Sequence, residues 1–183
     1  MPRVNEPLST EFALLGFLRR QPMYGYEIHQ QLSDSTGLGL VWHMKQSQLY
    51  ALLTKLEREG FVTTTIEYQE ARPPRKMFEL TEAGRQAFQD WVQQPVAQGR
   101  KLRLDFLAKL YFARLEGAEV AARLIERQRL VCRKWLRQQE EETAALRSSQ
   151  PYDWLVHKFR LGQIEATLAW LDTCEEAIDL ASK

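Results

Sequence analysis

The sequence predicts a mainly α-helical chain with one small β-hairpin, divided near residue 95 into two domains. Residues 46–59 place leucines at helical spacing, which is typical of an amphipathic helix. Residues 62–80 alternate apolar and polar side chains on both sides of Pro73-Pro74, which is typical of two short strands. After residue 95 the apolar spacing is helical, so the second domain is predicted to be all α-helical.

Four helices are predicted in the first domain, three before the hairpin and one after it. Polar residues begin them and glycine or proline ends them, as these residue types commonly do. Gly60 stops the third helix, and Thr81 caps the fourth. The predicted helices begin at Ser9, Tyr24, Gln46 and Thr81, and they end before Pro22, at residues 33–39, at Gly60 and near Pro95.

The hairpin is predicted to have one half-buried face on each strand. The alternating residues of this face are Val62, Thr64, Ile66 and Tyr68 in the first strand and Lys76, Phe78 and Leu80 in the second. Three short helices, a hairpin and a further helix make up a winged helix-turn-helix domain over residues 1–95. In such a domain the third helix is expected to enter the major groove of DNA.

The second domain, residues 96–183, is predicted to consist of helices over residues 104–115, 120–146 and 152–180. The last of these carries an apolar stripe at three- and four-residue spacing, interrupted by Glu175. The stripe consists of Leu161, Ile164, Leu168, Leu171 and Ile178. Such a stripe needs a partner helix, which either a second copy of the chain or another helix of the same chain supplies. In the first case residues 96–183 form a dimerisation domain.

The charge balance gives no general attraction to nucleic acid. The formal net charge is +1, and residues 1–95 hold 10 Lys and Arg against 11 Asp and Glu, a net charge of −1. DNA binding therefore requires a local basic patch. No apolar run reaches the roughly 20 residues that span a bilayer, and no export signal is recognisable, so we expect a cytoplasmic protein.

Five short motifs of the first domain, taken in order, resemble the PadR family of transcriptional regulators. They are Leu14-Leu15-Gly16, Tyr24-Gly25-Tyr26-Glu27-Ile28, Gln48-Leu49-Tyr50, Leu56-Glu57-Arg58-Glu59-Gly60 and Leu80-Thr81-Glu82-Ala83-Gly84. The second domain, from Leu104-Asp105-Phe106-Leu107, resembles the longer helical C-terminal domain of one PadR subgroup. The resemblance implies a homodimer whose C-terminal helices clasp the partner. It also implies a repressor that a small phenolic or drug-like aromatic molecule releases from DNA.

Projection of residues 46–59 onto a helix separates a leucine face from a small polar face. Leu49, Leu52, Leu53 and Leu56 form the face that is predicted to be buried. On the opposite face, hydroxyl and methyl groups are expected to meet base edges, and cations at its margins and in the wing are expected to meet phosphates. The residues predicted to contact DNA are Lys45, Ser47, Tyr50, Ala51, Thr54, Lys55, Arg58, Arg72, Arg75 and Lys76.

Two copies of the reading helix would be needed to specify an operator. A two-fold dimer reads half-sites about one helical turn, roughly 34 Å, apart, so an inverted repeat is expected as the target. The affinity should fall as salt rises, because phosphate contacts release counterions.

The sequence gives less support to other classes of function. An enzyme is disfavoured because the sequence has no GxSxG, no HExxH and no phosphate-binding glycine-rich loop, and no cofactor or metal is predicted. A redox sensor remains possible only if Cys132 and Cys174 meet in space. The five tryptophans are candidates for lining an effector pocket, although tryptophans more often form core or interface. The main alternative is a winged-helix adaptor that binds protein and not DNA.

Overall fold

The structure is a computed structural model that describes residues 9–69, 72–146 and 150–181. The chain forms two compact units. The first comprises the described residues up to Gln93 together with Leu102–Phe112, and the second comprises Gln94–Lys101 together with the described residues from Ala113 onward. The sequence places the boundary at residue 95 and assigns residues 102–112 to the second domain, whereas in the structure this segment packs with the first unit.

The helices and strands follow the predicted order, with short additions. The elements are α1 (Ser9–Phe17), β1 (Met23–Tyr24), α2 (Gly25–Ser33), a 3-10 turn (Gly37–Leu40), α3 (Gln46–Arg58), β2 (Val62–Gln69), β3 (Arg72–Leu80), α4 (Glu82–Gln93), a second 3-10 turn (Gly99–Lys101), a π-helical turn (Leu102–Phe106), α5 (Leu107–Glu116), α6 (Ala118–Leu146) and α7 (Pro151–Ala181). Among the residues that the structure describes, no helix is both long and apolar enough to cross a membrane.

The sheet has three antiparallel strands in the order β1-β3-β2. The predicted hairpin is confirmed, with Val62 opposite Leu80 at its base. Strand β1 was not predicted, because two residues are too short for an alternating pattern. It pairs with β3 on the other side, with Met23 opposite Phe78. Tyr24 was assigned to the second helix and is instead the last residue of this strand and the N-cap of α2.

The hairpin is buried only at its base. Val62 and Phe78 are almost fully buried, whereas Ile66 and Tyr68 on β2 are exposed. The sequence predicts a half-buried face along the whole strand, and this is wrong for its outer half. Alternation reports which side chains share a face, but it does not report how far the strand extends beyond the core.

An aromatic cluster fills the core of the first unit. The ring of Phe112 makes edge contacts with Phe17, at a centroid distance of 5.3 Å, and with Phe88, at 5.9 Å. Gly16 makes room for it, because a Cβ at this position would lie 2.6 Å from the Phe112 ring. Phe112 belongs to the segment that follows the π-helical turn, and its burial explains why this segment belongs to the first unit.

Helices α6 and α7 form an antiparallel pair in the second unit. Arg129 on α6 bonds Asp172 and Glu175 on α7, while Gln139 lies beside His157. These bonds hold the Arg129 guanidinium in its charged form, so its pKa is raised, mainly by Glu175. Both helices also carry buried apolar side chains. They include Leu124, Ile125 and Cys132 on α6 and Leu161, Leu171 and Ile178 on α7.

The start of α4 offers a direct test of the fold. The Thr81 hydroxyl accepts a hydrogen bond from the Gly84 N–H at 3.0 Å and donates to the Gly60 carbonyl at 2.7 Å. It therefore caps α4 and joins it to the end of α3. Thr81→Ala should lower the free energy of unfolding by about 1–2 kcal/mol, because a helix N-cap contributes that much. Thr81→Ser, which keeps the hydroxyl, should retain most of it.

Thermal melts of the two variants beside the unmutated protein would measure the difference. Equal midpoints for Thr81→Ala and Thr81→Ser would mean that the hydroxyl contributes nothing to the fold.

Candidate nucleic-acid interface

Helix α3 presents one face to the core and the opposite face to solvent. Leu49, Leu53 and Leu56 are fully buried, as predicted, while Leu52 is only half-buried at the edge of this face. The opposite face is exposed along its length. It carries Ser47, Ala51, Thr54 and Arg58. The sequence therefore predicts the orientation of α3 correctly, and an exposed row of small polar side chains runs along the outer side of the helix.

The two ends of α3 differ in charge and in packing. Lys45 is exposed at the N-cap, where its backbone N–H donates to the Gln48 side chain at 3.3 Å. Positively charged side chains and the helix N-terminus both favour an anion at this end. At the other end the Arg58 side chain is exposed and has no ion-pair or hydrogen-bond partner among the described residues.

Tyr50 is half-buried, because its ring packs on α2. A Cβ at Gly25 would lie 2.7 Å from this ring, so only glycine permits the contact. Tyr50, which is predicted to contact DNA, therefore also packs against α2. The contact sets the distance between the two helices of the helix-turn-helix.

Lys55 is engaged with another helix of the same unit. Its Nζ donates to both carboxylate oxygens of Glu11 on α1, at 2.9 and 2.7 Å. Glu11 is 2% exposed. These hydrogen bonds stabilise the ammonium form, so the pKa of Lys55 is raised. A lysine predicted to meet phosphate is therefore directed towards a buried carboxylate.

Lys76 on β3 is also paired. Its Nζ lies 2.6 Å from Glu57 on α3, which accepts a second hydrogen bond from the Thr64 hydroxyl. Both donors favour the carboxylate form, and the pKa of Glu57 is lowered, first by Lys76 and then by Thr64. Lys76 was predicted as a phosphate contact. In the structure it joins the wing to the side of α3.

Arg75 lies on two stacked tyrosines at the base of the wing. The rings of Tyr24 and Tyr26 are 5.6 Å apart and nearly parallel, and the Arg75 guanidinium lies 5.9 and 5.6 Å from their centroids. Tyr24 donates a hydrogen bond to Glu67, which raises the pKa of its phenol. Among the described residues Arg75 has no ion-pair or hydrogen-bond partner, so its N–H groups are available to a ligand.

The remaining predicted cation of the wing is Arg72. Its backbone belongs to β3, but its side chain lies outside the described part of the structure, as do Glu70 and Ala71 at the predicted wing tip.

The two acidic partners, Glu11 and Glu57, are not among the residues that the sequence predicts for the site. A signal existed for Glu11, because it occupies the apolar face of α1 together with Leu14, Leu15 and Leu18, at helical spacing. A carboxylate at a core position needs a cation in the fold. Nothing in the sequence indicated that the cation was Lys55, 44 residues away.

The predicted dimerisation stripe is largely covered within its own chain. Leu161, Leu171 and Ile178 are buried, and Ile164 and Leu168 are half-buried. A different side of α7 is exposed and apolar. It carries Tyr152, Leu155, Phe159 and Trp170, of which Phe159 is 66% exposed. We call these four residues the α7 stripe.

The described residues offer neither a reactive thiol nor a cluster of metal ligands. Cys132 and Cys174 are both free, and burial raises the pKa of each thiol, to about 11 for Cys174. Such thiols hold little reactive thiolate at neutral pH. No group of three or more His, Cys, Asp or Glu side chains within the described residues is arranged to hold a metal ion.

Helices α1 to α4 and the sheet define a winged helix-turn-helix domain, joined to a second unit built on two long helices. The model of the PadR-like family of transcriptional regulators matches residues 14–90. Over these residues, which lie in the winged-helix domain, the chain is similar to that family.

Three comparisons describe the similarity to individual proteins. The negative transcriptional regulator PadR of Bacillus subtilis is 33% identical over 120 residues, which make up 64% of this chain and 64% of that protein, so the match spans less than two thirds of the relative. A probable transcriptional regulator of Mycobacterium tuberculosis is 26% identical over 182 residues, covering 91% of this chain and 95% of the relative. A crystal structure of B. subtilis PadR in complex with operator DNA is 28% identical, covers 92% of this chain and 98% of the other, and has a TM-score of 0.47.

Proposed function

We propose that this protein is a sequence-specific DNA-binding regulator of transcription that acts as a homodimer. The observation that carries the proposal is the exposed face of α3, whose side chains are small and polar. On one side of this face Lys55 is paired with Glu11, and on the other side Glu57 is paired with Lys76. The similarity to the negative transcriptional regulator PadR, whose solved complex contains operator DNA, supports it.

The exposed face of α3 suits the major groove of DNA. Ser47 and Thr54 carry hydroxyl groups that donate or accept hydrogen bonds at base edges, and Ala51 is suited to contact a thymine methyl group. Small side chains let the helix backbone approach the bases closely. Arg58, exposed at the end of the same face, is long enough to reach the phosphates at the margin of the groove.

The wing contributes a second basic contact through Arg75. Its guanidinium rests on the Tyr24 and Tyr26 rings, which restricts the side chain before DNA arrives. An ordered guanidinium loses less entropy on binding phosphate than a mobile one does. With Lys55 and Lys76 paired to acids, the phosphate contacts of the described residues reduce to Lys45, Arg58 and Arg75.

Dimerisation is proposed to use the α7 stripe and not the covered residues between α6 and α7. Tyr152, Leu155 and Phe159 follow helical spacing, and Trp170 returns to the same side about three turns after Phe159. Gly162 lies between them, and a Cβ there would meet no atom within 4 Å, so a second helix has room to approach. A second copy is the occupant we propose, because an inverted-repeat operator requires two copies of α3.

We further propose that a small effector releases the protein from DNA. The family resemblance supports an aromatic or phenolic ligand, and titration of tryptophan fluorescence with a panel of aromatic acids tests for it. An unchanged emission spectrum across the panel, with DNA affinity equally unchanged, would count against effector release.

The adaptor alternative is favoured by one observation, the net charge of −1 over residues 1–95. Selection of bound sites from random duplexes at low salt separates the two functions. Enrichment of an inverted repeat is expected for the regulator. Failure to retain any duplex at low salt would favour the adaptor.

Arg75→Met tests the phosphate contact at the wing. The slope of log affinity against log salt should become shallower by about 0.9, because one phosphate contact is lost. Lys76→Met is the matched control on the same strand. It removes the same charge, but Lys76 is already neutralised by Glu57, so the slope should change much less. Fluorescence anisotropy over a salt series measures both slopes, and an unchanged slope for Arg75→Met would exclude this contact.

Phe159→Glu tests the dimer surface. The variant should weaken dimerisation by about tenfold or more, because it places a charge in the centre of the apolar contact. The neighbouring Lys158→Gln makes the same change of one charge unit on an exposed position beside the stripe and should leave the dimer intact. Sedimentation equilibrium gives the dissociation constants. A Phe159→Glu protein that dimerised as tightly as the unmutated one would rule out the α7 stripe.

A further inference from the structure

We infer that Lys55 is a positioning residue, which sets the pose of the reading helix through Glu11, and not a contact to phosphate. The inference rests on the proposed function, since it concerns how α3 is presented to DNA. It assigns the same positioning role to Glu11, which lies on a different helix and is buried.

The ion pair leaves Lys55 little capacity for a second anion. Two hydrogen bonds at 2.9 and 2.7 Å join its Nζ to both oxygens of Glu11, and Glu59 lies 3.9 Å away on the same helix. A lysine ammonium has three N–H donors, of which Glu11 takes two. The cation therefore stands among carboxylates that already neutralise it.

The burial of Glu11 decides which way Lys55 points. Because only 2% of Glu11 is exposed, water does not replace the lysine if it swings out towards a phosphate. The carboxylate would then remain buried and unpaired, which is strongly unfavourable. The lysine of an exposed ion pair exchanges partners easily because water solvates the carboxylate it leaves. The buried Glu11 carboxylate has no such replacement.

The position of Lys55 around α3 lets its ion pair with Glu11 restrict the rotation of the helix. Residues 55 and 57 lie about 200° apart around the helix, one on each side of the exposed face. Lys55 is fixed to α1 by Glu11, and Glu57 is fixed to β3 by Lys76. Rotation of α3 in either direction would break one of these two ion pairs. The rotation decides which side chains meet the bases.

Glu11→Gln separates the two roles of Lys55, because they predict opposite signs. If Lys55 positions the helix, the variant should lower the affinity for the selected operator by roughly tenfold. The affinity for random duplex and the salt slope should stay as in the unmutated protein. If Lys55 were held in reserve for phosphate, removing its buried partner should raise both affinities and steepen the salt slope by about 0.9.

Lys55→Met provides the second arm, and thermal melting monitors the folding of both variants, because Lys55→Met leaves the buried Glu11 carboxylate unpaired. We expect an unchanged salt slope and a reduced ratio of operator to random-duplex affinity. The double variant Glu11→Gln/Lys55→Met should reduce the ratio of operator to random-duplex affinity no further than Lys55→Met alone, since both substitutions remove the same interaction. A slope shallower by about 0.9 for Lys55→Met would overturn the inference. An unmutated protein that binds no duplex would refute the proposed function instead.

Discussion

The ion pair between Glu11 and Lys55 is the interaction on which the presentation of α3 depends. It joins the first helix of the domain to the helix that carries the exposed polar face. Hydrophobic packing of Leu49, Leu53 and Leu56 keeps α3 on the domain but is not directional. Hydrogen bonds to a buried carboxylate are directional, and they define the angle at which the helix stands.

This arrangement explains how a nearly neutral domain can still be suited to DNA. Lys55 and Lys76 are neutralised by acids and organise the protein. The phosphate contacts that we propose are therefore Lys45, Arg58 and Arg75. A few phosphate contacts give weak non-specific binding. In the proposed function, discrimination between sequences depends on the fixed rotation of α3 and on the pairing of two subunits more than on the electrostatic field of the whole chain.

Local patterns in the sequence were sufficient for the order of elements and for the orientation of α3. The leucine spacing predicts the buried face, and Gly60 and Thr81 mark the ends of α3 and the start of α4. Long-range features were not predictable in the same way. Strand β1 is too short for a pattern, and Lys55 and Lys76 look like any exposed lysines until the fold brings Glu11 and Glu57 beside them. Helix α7 has two apolar sides, and its own pairing with α6 decides which one remains for a partner.

Thr54→Val tests most directly whether the exposed face of α3 reads base edges. This variant removes one hydroxyl while keeping the shape of the side chain, and Arg75→Met serves as a control that removes a phosphate contact. Sites bound by each protein would be selected from random duplexes and sequenced. We expect Thr54→Val to change the preferred base at two symmetry-related positions, while Arg75→Met keeps the preferred sequence and binds it more weakly. An identical preferred sequence for Thr54→Val and the unmutated protein would contradict reading by this face.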